Sequence, residues 1–317
     1  MEWITFEFGI YAWLMYQFAF QPYQRPFKQP LQTSHGKWEV REGIILSLTD
    51  NLGKTHQGEI APISWFGSET VNQALNYCRQ LPPEITTETI YTIPDSLPAC
   101  QFGFESALAL NNQNSHHLTY SGLLSAGKAA LQQWGKLWEQ GYRTFKWKIG
   151  VYPIVEELEI FAAFTQIPKP VKLRLDANGG LTYDEANLWL QKSDSSKLVE
   201  FIEQPLGLEQ FEQMQTLSNL YNTAIALDES VATFNQLQAC YQRGWRGIFV
   251  IKPSIVGYPS RLRQFCQTYP IDAVFSSAFE TEIGRNSALN LAVELANPHR
   301  AVGFGIDNFL SPNTPGI

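Results

Sequence analysis

The chain has 317 residues, 44% of them hydrophobic and 17% charged, and a net charge of −7. That length suits a barrel of about 200–250 residues with a smaller domain beside it. An acidic balance without any basic run argues against nucleic acid as a partner.

In chain order, the first landmark is an apolar run at 8–20 (FGIYAWLMYQFAF). Its 13 residues are too few to cross a bilayer as a helix. It follows Glu2 and Glu7 and lacks a basic flank, which does not fit a signal peptide. Its aromatic and β-branched content reads as a buried hairpin strand. With no targeting feature, cytoplasmic location is the default and no membrane partner is implied. WEVREGIILSLTD (38–50) reads as a further strand, and SETVNQALNYCRQL (68–81) as a helix stopped by Pro82 and Pro83. Strand and helix do not alternate here, so residues 1–100 read as a separate α+β capping domain. The boundary is expected within PDSLPAC (94–100), before a helix around FESALAL (104–110).

From there the pattern changes. Strand-like runs at 117–124, 144–151, 172–176, 200–206, 224–228, 249–252, 272–280 and 301–307 alternate with helix-like stretches. Those stretches are 125–140, 153–166, 183–192, 208–218, 232–243, 258–268 and 284–296. From Lys148 to Asp176 is 28 residues, then 27 to Glu203, 25 to Asp228 and 24 to Lys252. Each step holds one strand and one crossover helix. The reading is an α/β chain whose residues 101–317 form a TIM-type (β/α)7β barrel, with the last residues packing back on the cap.

Lys146, Lys148, Asp176, Glu203, Asp228 and Lys252 lie at the ends of these apolar runs. Charged side chains seldom occupy such places unless paired or metal-bound. In such barrels the chemistry sits at the C-terminal strand ends. Asp176, Glu203 and Asp228 occupy corresponding positions on three neighbouring strands. Three oxygen ligands without histidine or cysteine suit a hard octahedral cation, Mg²⁺ before Mn²⁺. The competing reading is salt bridging to lysine or arginine on adjacent strands. Lys146 and Lys148 are two apart, so they share a face, with Trp147 on the other. Burial and the neighbouring ammonium would lower a lysine pKa toward that of a general base. Cys78, Cys100, Cys240 and Cys266 have no metal-ligand spacing and read as reduced thiols. His35, His56, His116, His117 and His299 form no metal or triad pattern.

The succession K-x-K, D-A-N, E-Q-P, D-E-S and K-P-S on consecutive strands resembles the enolase superfamily. Within it, RPFKQPLQTSHGKWEVREGIILSL, GEIAPISWFGSET and GYRTFKWKIG are similar to the o-succinylbenzoate synthase family. The resemblance spans essentially the whole chain. It implies that Lys148 removes the proton alpha to the substrate carboxylate, and that Lys146 tunes it and helps hold substrate. It implies Mg²⁺ on Asp176, Glu203 and Asp228, supported by Asn178 and Glu229, with Lys252 stabilising the anionic intermediate. The implied substrate is a small carboxylate, 2-succinyl-6-hydroxy-2,4-cyclohexadiene-1-carboxylate, which loses water to give 2-succinylbenzoate in menaquinone or phylloquinone biosynthesis. A metal-stabilised enediolate formed by a lysine base is a described device of that superfamily.

For the substrate's second carboxylate, Ser276 and Ser277 are the candidate donors, with strand-end capping as the other reading. Segments 27–35 and 63–67, the latter with Trp65 and Phe66, are candidate lids; ordinary interdomain packing is the other reading. The same K-x-K arrangement supports racemases and epimerases, and N-succinylamino acid racemase is the nearest alternative activity because its substrate also carries a succinyl group. Muconate cycloisomerase is more distant. Dipeptide epimerases carry Asp-x-Asp at the eighth strand, where this chain reads Gly305, Ile306, Asp307. A non-catalytic binding protein would be signalled by loss of one of the six charged residues, and none is lost. Oligomeric state is not legible.

Overall fold

The computed structural model describes residues 14–33, 36–109, 118–167 and 170–305. Residues 8–13 of the apolar run, His35, His116, His117, Leu110, Ile306, Asp307 and the C-terminal residues expected on the cap lie outside them.

The N-terminal part is an antiparallel sheet of β1 (Met15–Thr33), β2 (Gly36–Thr49), β3 (Thr55–Ile60) and β4 (Glu84–Thr86) in the order β3-β2-β1-β4. With it go the helices α1 (Val71–Gln80), α2 (Thr87–Tyr91) and α3 (Pro98–Leu108). Thr70 and Gln73 close a capping box on α1, satisfying amides that have no partner inside the helix. Ile44, Leu46, Leu48 and Ile60 of the sheet pack with Ala74 and Cys78 of α1 and with Phe104 of α3. The approach of β3 to α3 needs two glycines. A Cβ on Gly58 would lie 2.0 Å from the Gly103 carbonyl, and one on Gly103 would lie 2.8 Å from that of Glu59.

Residues 15–20 lie in the expected strand, which is covered on one side only: Tyr16, Phe18 and Phe20 pack, partly buried, against the core of the cap. Leu14 and Met15 are about half exposed, and positions 14–20 alternate between exposed and intermediate. Aromatic and β-branched content identifies an extended segment; it does not say how completely the segment is covered. All four cysteines are free.

The barrel strands are β5 (Tyr120–Leu124), β6 (Thr144–Lys148), β7 (Lys172–Asp176), β8 (Val199–Glu203), β9 (Ala224–Leu227), β10 (Ile248–Ile251), β11 (Asp272–Phe275) and β12 (Val302–Gly305). Between them run α4 (Ala130–Glu139), α5 (Ile154–Thr165), α6 (Tyr183–Ser196), α7 (Phe211–Leu220), α8 (Phe234–Gln242), α9 (Pro253–Val256), α10 (Pro259–Thr268) and α11 (Glu282–Leu295). The sheet is parallel, in the order β11-β10-β9-β8-β7-β6-β5-β12. A parallel bridge between Ser276 and Gly303 closes it on itself. This is the expected (β/α) barrel with its α+β partner. Among the described residues, no helix is long and apolar enough to cross a membrane.

Alternation sorts the side chains. Phe145 and Trp147 point out of β6 into the helix layer, where Trp147 meets Phe164 and Trp189. The interior holds a small apolar plug, Phe201, Ala226, Ile248, Val250 and Val274. Toward the N-terminal strand ends, Arg174 and Arg300 pair with Glu200, and Arg300 with Asp272. The charged residues of interest lie at the other end.

Glu59 of β3, fully buried, joins the two parts. Its carboxylate accepts from the Tyr23 hydroxyl at 2.5 Å, the Thr281 amide at 2.9 Å and the Gly284 amide at 2.9 Å, as well as from the Thr281 hydroxyl. It therefore caps the N-terminus of α11 from the neighbouring domain. Glu59→Ala would leave these buried donors without an acceptor. The expected loss is on the order of 3 kcal/mol in urea unfolding, and a loss under 1 kcal/mol would contradict this role.

Candidate active site

The strand pairing gathers the predicted residues at one mouth of the barrel. Lys148 is in register with Asp176, and Asp176 with Glu203. The Lys146 ammonium lies 2.8 Å from Asp176 Oδ2 and 2.6 Å from Glu203 Oε1. Lys252 forms an ion pair with Asp228. Among the described residues, Lys148 makes no ion pair, so its side-chain nitrogen is the uncommitted one of the three lysines.

The loops behind the strands hold this arrangement. Asn178, at a positive φ of 45°, gives its amide to Asp176 Oδ1 at 3.3 Å and its side-chain nitrogen to Glu229 Oε1 at 2.9 Å. The other Glu229 oxygen is buried with no protein partner. Gln204, next to Glu203 in sequence and fully buried, accepts from the amides of Asp228 and Ser230 at 3.1 and 3.2 Å. It thereby ties the E-Q-P turn to the D-E-S turn. The reading from sequence passed over Gln204; its signal was a polar residue between a buried glutamate and a proline.

The electrostatics correct one expectation. Lys146 is not moved toward a neutral base. Burial disfavours its charge, but Asp176, Glu203 and Asp228 outweigh that and hold it well above the ordinary lysine value. The acids carry the strain. Burial, reinforced by Asp176 and Asp228 and opposed by Lys146, pushes Glu203 up to about 8. Burial likewise raises Asp228, against the pull of Lys252, and it raises Glu229 with help from Asp176.

Salt bridging, the competing reading for the three carboxylates, is present. Among the described residues, no three acidic, histidine or cysteine side chains stand gathered at metal-ligand spacing. The donor set still fits a hard divalent cation. It offers three carboxylates on adjacent strands and, nearby, Glu229; burial raises three of these four acids, and their mutual repulsion adds to it, which a bound divalent cation would relieve.

The predicted serines differ from one another. Ser277 donates to Glu280 at 3.0 Å and accepts the Phe279 amide at 2.9 Å, so its hydroxyl is committed to the turn. The Ser276 hydroxyl is buried with no protein partner. From the cap, the Phe66 ring lies under Lys252, 3.8 Å from Nζ to the centroid, a cation–π contact. Trp65 instead packs edge-on against Trp38.

Residues 129–309 match the family model described as "Enolase C-terminal domain-like", and residues 15–111 that described as "MenC, N-terminal domain". The o-succinylbenzoate synthase of Thermosynechococcus vestitus is 41% identical over 302 residues, covering 91% of this chain and 92% of that protein. That of Aliivibrio fischeri strain MJ11 is 27% identical over 277 residues, covering 85% and 84%. Among solved structures, the o-succinylbenzoate synthase of Thermosynechococcus elongatus BP-1, complexed with Mg in the active site, superposes with a TM-score of 0.87. It is 40% identical and covers 94% of this chain and 95% of that one. A dipeptide epimerase from Methylococcus capsulatus, at 17% identity and a TM-score of 0.79, shares the fold; it covers 95% of this chain and 93% of that one.

A carboxyl whose folded pKa exceeds its unfolded value binds more protons when folded, so stability falls as pH rises between the two. For Glu203 that window runs from 4.5 to about 8. Metal-free protein is expected to lose urea stability progressively across it, and Glu203→Gln is expected to flatten the decline. An equal slope in both proteins would contradict the assignment.

Proposed function

Because this chain belongs to the o-succinylbenzoate synthase family of the enolase superfamily, a family of carbon–oxygen lyases, we propose that it dehydrates 2-succinyl-6-hydroxy-2,4-cyclohexadiene-1-carboxylate to 2-succinylbenzoate in menaquinone or phylloquinone biosynthesis. One observation carries the reading. The 41% identity to a named synthase runs over 91% of the chain.

In this reading Lys148, the uncommitted lysine, takes the proton from the carbon alpha to the ring carboxylate. The electron pair left behind makes the new ring double bond as the C–O bond to the hydroxyl breaks. The lysine's proton leaves with that hydroxide as water, and the ring becomes aromatic. No other reactant is needed, and aromatisation drives the step forward.

Asp176, Glu203 and Asp228 would hold Mg²⁺, with Mn²⁺ as a substitute; when bound, it supplies concentrated positive charge where carboxylate charge builds up. Lys146, kept charged by Asp176 and Glu203, adds a fixed cation on the Lys148 face of the strand. Lys252 presents its ammonium toward the ring from across the barrel. Ser276, rather than Ser277, is the hydroxyl left to meet the succinyl carboxylate. Asn178 and Glu229 keep the loop after β7 in place.

Turnover of the cyclohexadiene carboxylate with Mg²⁺ tests this. Lys148→Ala is expected to lower kcat by at least about 10³-fold, and EDTA to abolish product, restored by Mg²⁺. Folded, Mg²⁺-loaded protein that makes no 2-succinylbenzoate would refute the synthase reading. α-Proton exchange of N-succinylamino acids in D₂O would then test racemisation.

A further inference from the structure

Arg41 on β2 is 1% exposed, and its charge is directed to backbone. Among the described residues, all four of its hydrogen bonds end on carbonyls. Nε donates to Phe279 at 3.3 Å, Nη1 to Glu42 at 2.7 Å and Pro62 at 2.8 Å, and Nη2 to Ala61. The guanidinium also lies over the Trp38 ring, 5.4 Å from its centroid.

Apart from Glu42, the next residue on β2, these carbonyls belong to two segments with different tasks. Ala61 and Pro62 lie just past the end of β3, where the sheet ladder stops, and lead into the 64–66 turn that sets Phe66 against Lys252. Phe279 closes the turn that begins with Ser276 and Ser277. It is a non-glycine residue at a φ of 60°, a conformation the chain adopts only under constraint. Its ring is wedged against Phe27 and Trp38, at 5.4 and 5.6 Å between centroids. A buried cation without a carboxylate partner costs free energy that an apolar residue would not. What a planar fork of five donors provides is geometry: it fixes several carbonyls relative to one another, as a lysine cannot.

We propose that Arg41 is a positioning residue that locks the 64–66 turn of the cap and the 276–279 turn of the barrel into one unit, and so sets the distance between the ring at Lys252 and the hydroxyl at Ser276. It touches no reacting atom. Its effect falls on how substrate is held, because both turns border the place where substrate must sit. The kinetic part rests on the synthase reading; the structural part does not.

Arg41→Gln and the milder Arg41→Lys, each with Mg²⁺, test the proposal by two readouts. In amide hydrogen exchange, segments 61–67 and 276–281 are expected to speed up together by about tenfold or more, while β7 to β9 keep wild-type protection. In kinetics, KM is expected to rise about tenfold in Arg41→Gln, with kcat within about threefold of wild type and a smaller rise in Arg41→Lys. A role in stability alone would lower the active fraction, and so kcat, at unchanged KM; that result overturns the proposal. Exchange that rises in one segment alone, or in neither, overturns it too. If Arg41→Gln does not fold, Arg41→Lys carries both readouts. If wild type proves inactive, the synthase reading fails while the exchange comparison still decides the lock.

Discussion

Side chains on a strand alternate between its faces, and here the strands of the barrel are only four or five residues long. Each strand therefore gives the interior two or three positions, and everything else faces the helices. The outward set, including Phe145, Trp147, Leu173, Leu175, Ile202, Leu227, Phe249 and Ile251, builds the main core. The inward set takes the charges. A slip of one residue in β6 would place Lys146 and Lys148 among the helices and Trp147 in the mouth. The packing that holds the fold together and the chemistry of the site thus depend on one register.

The two ends of the barrel interior treat charge in opposite ways. At the N-terminal ends, the arginines Arg174 and Arg300 meet Glu200 and Asp272, and both acids are held below their ordinary values although burial opposes it. That end is balanced and serves structure. At the C-terminal ends, Asp176, Glu203, Asp228 and Glu229 share Lys146 and Lys252, and three of these acids are pushed upward. Burial acts on both ends but is more complete at the second, where four acids also share two paired cations. An interior that pairs its charge at one end and crowds buried acids at the other has the electrostatics expected of a ligand site at the second.

Most of the fold and the central cluster were legible because a charged residue within an apolar run is rare, and its recurrence at 24 to 28 residues is rarer. What could not be read was whatever depends on neighbours across the sheet. The pKa direction of Lys146 was misjudged because its sequence neighbour is a lysine, whereas its spatial neighbours are Asp176 and Glu203 on β7 and β8. Arg41 and Glu59 gave no signal. All of Arg41's partners and half of Glu59's are main-chain groups, up to 238 residues away, and a carbonyl or an amide looks the same in every residue. Ser276 and Ser277 looked equivalent as a pair; only the turn that places Glu280 beside one of them separates their roles.

The cap supplies the mouth with rings rather than charge. Phe66 covers Lys252 on one side, and Phe27, Trp38, Trp65 and Phe279 make a continuous aromatic seam between the cap and the β11 turn. Of these rings, Phe66 alone is seen against a lysine; the seam joins the two domains beside the mouth. It does not alter which groups are acids and bases. The same lysines and carboxylates suit removal of an α-proton whether the next event is loss of hydroxide or return of the proton to the other face. If the lysines act as proposed, the choice between those outcomes would come from how the ring or chain of the substrate is held beneath the cap, and specificity would rest on the domain that carries none of that charge.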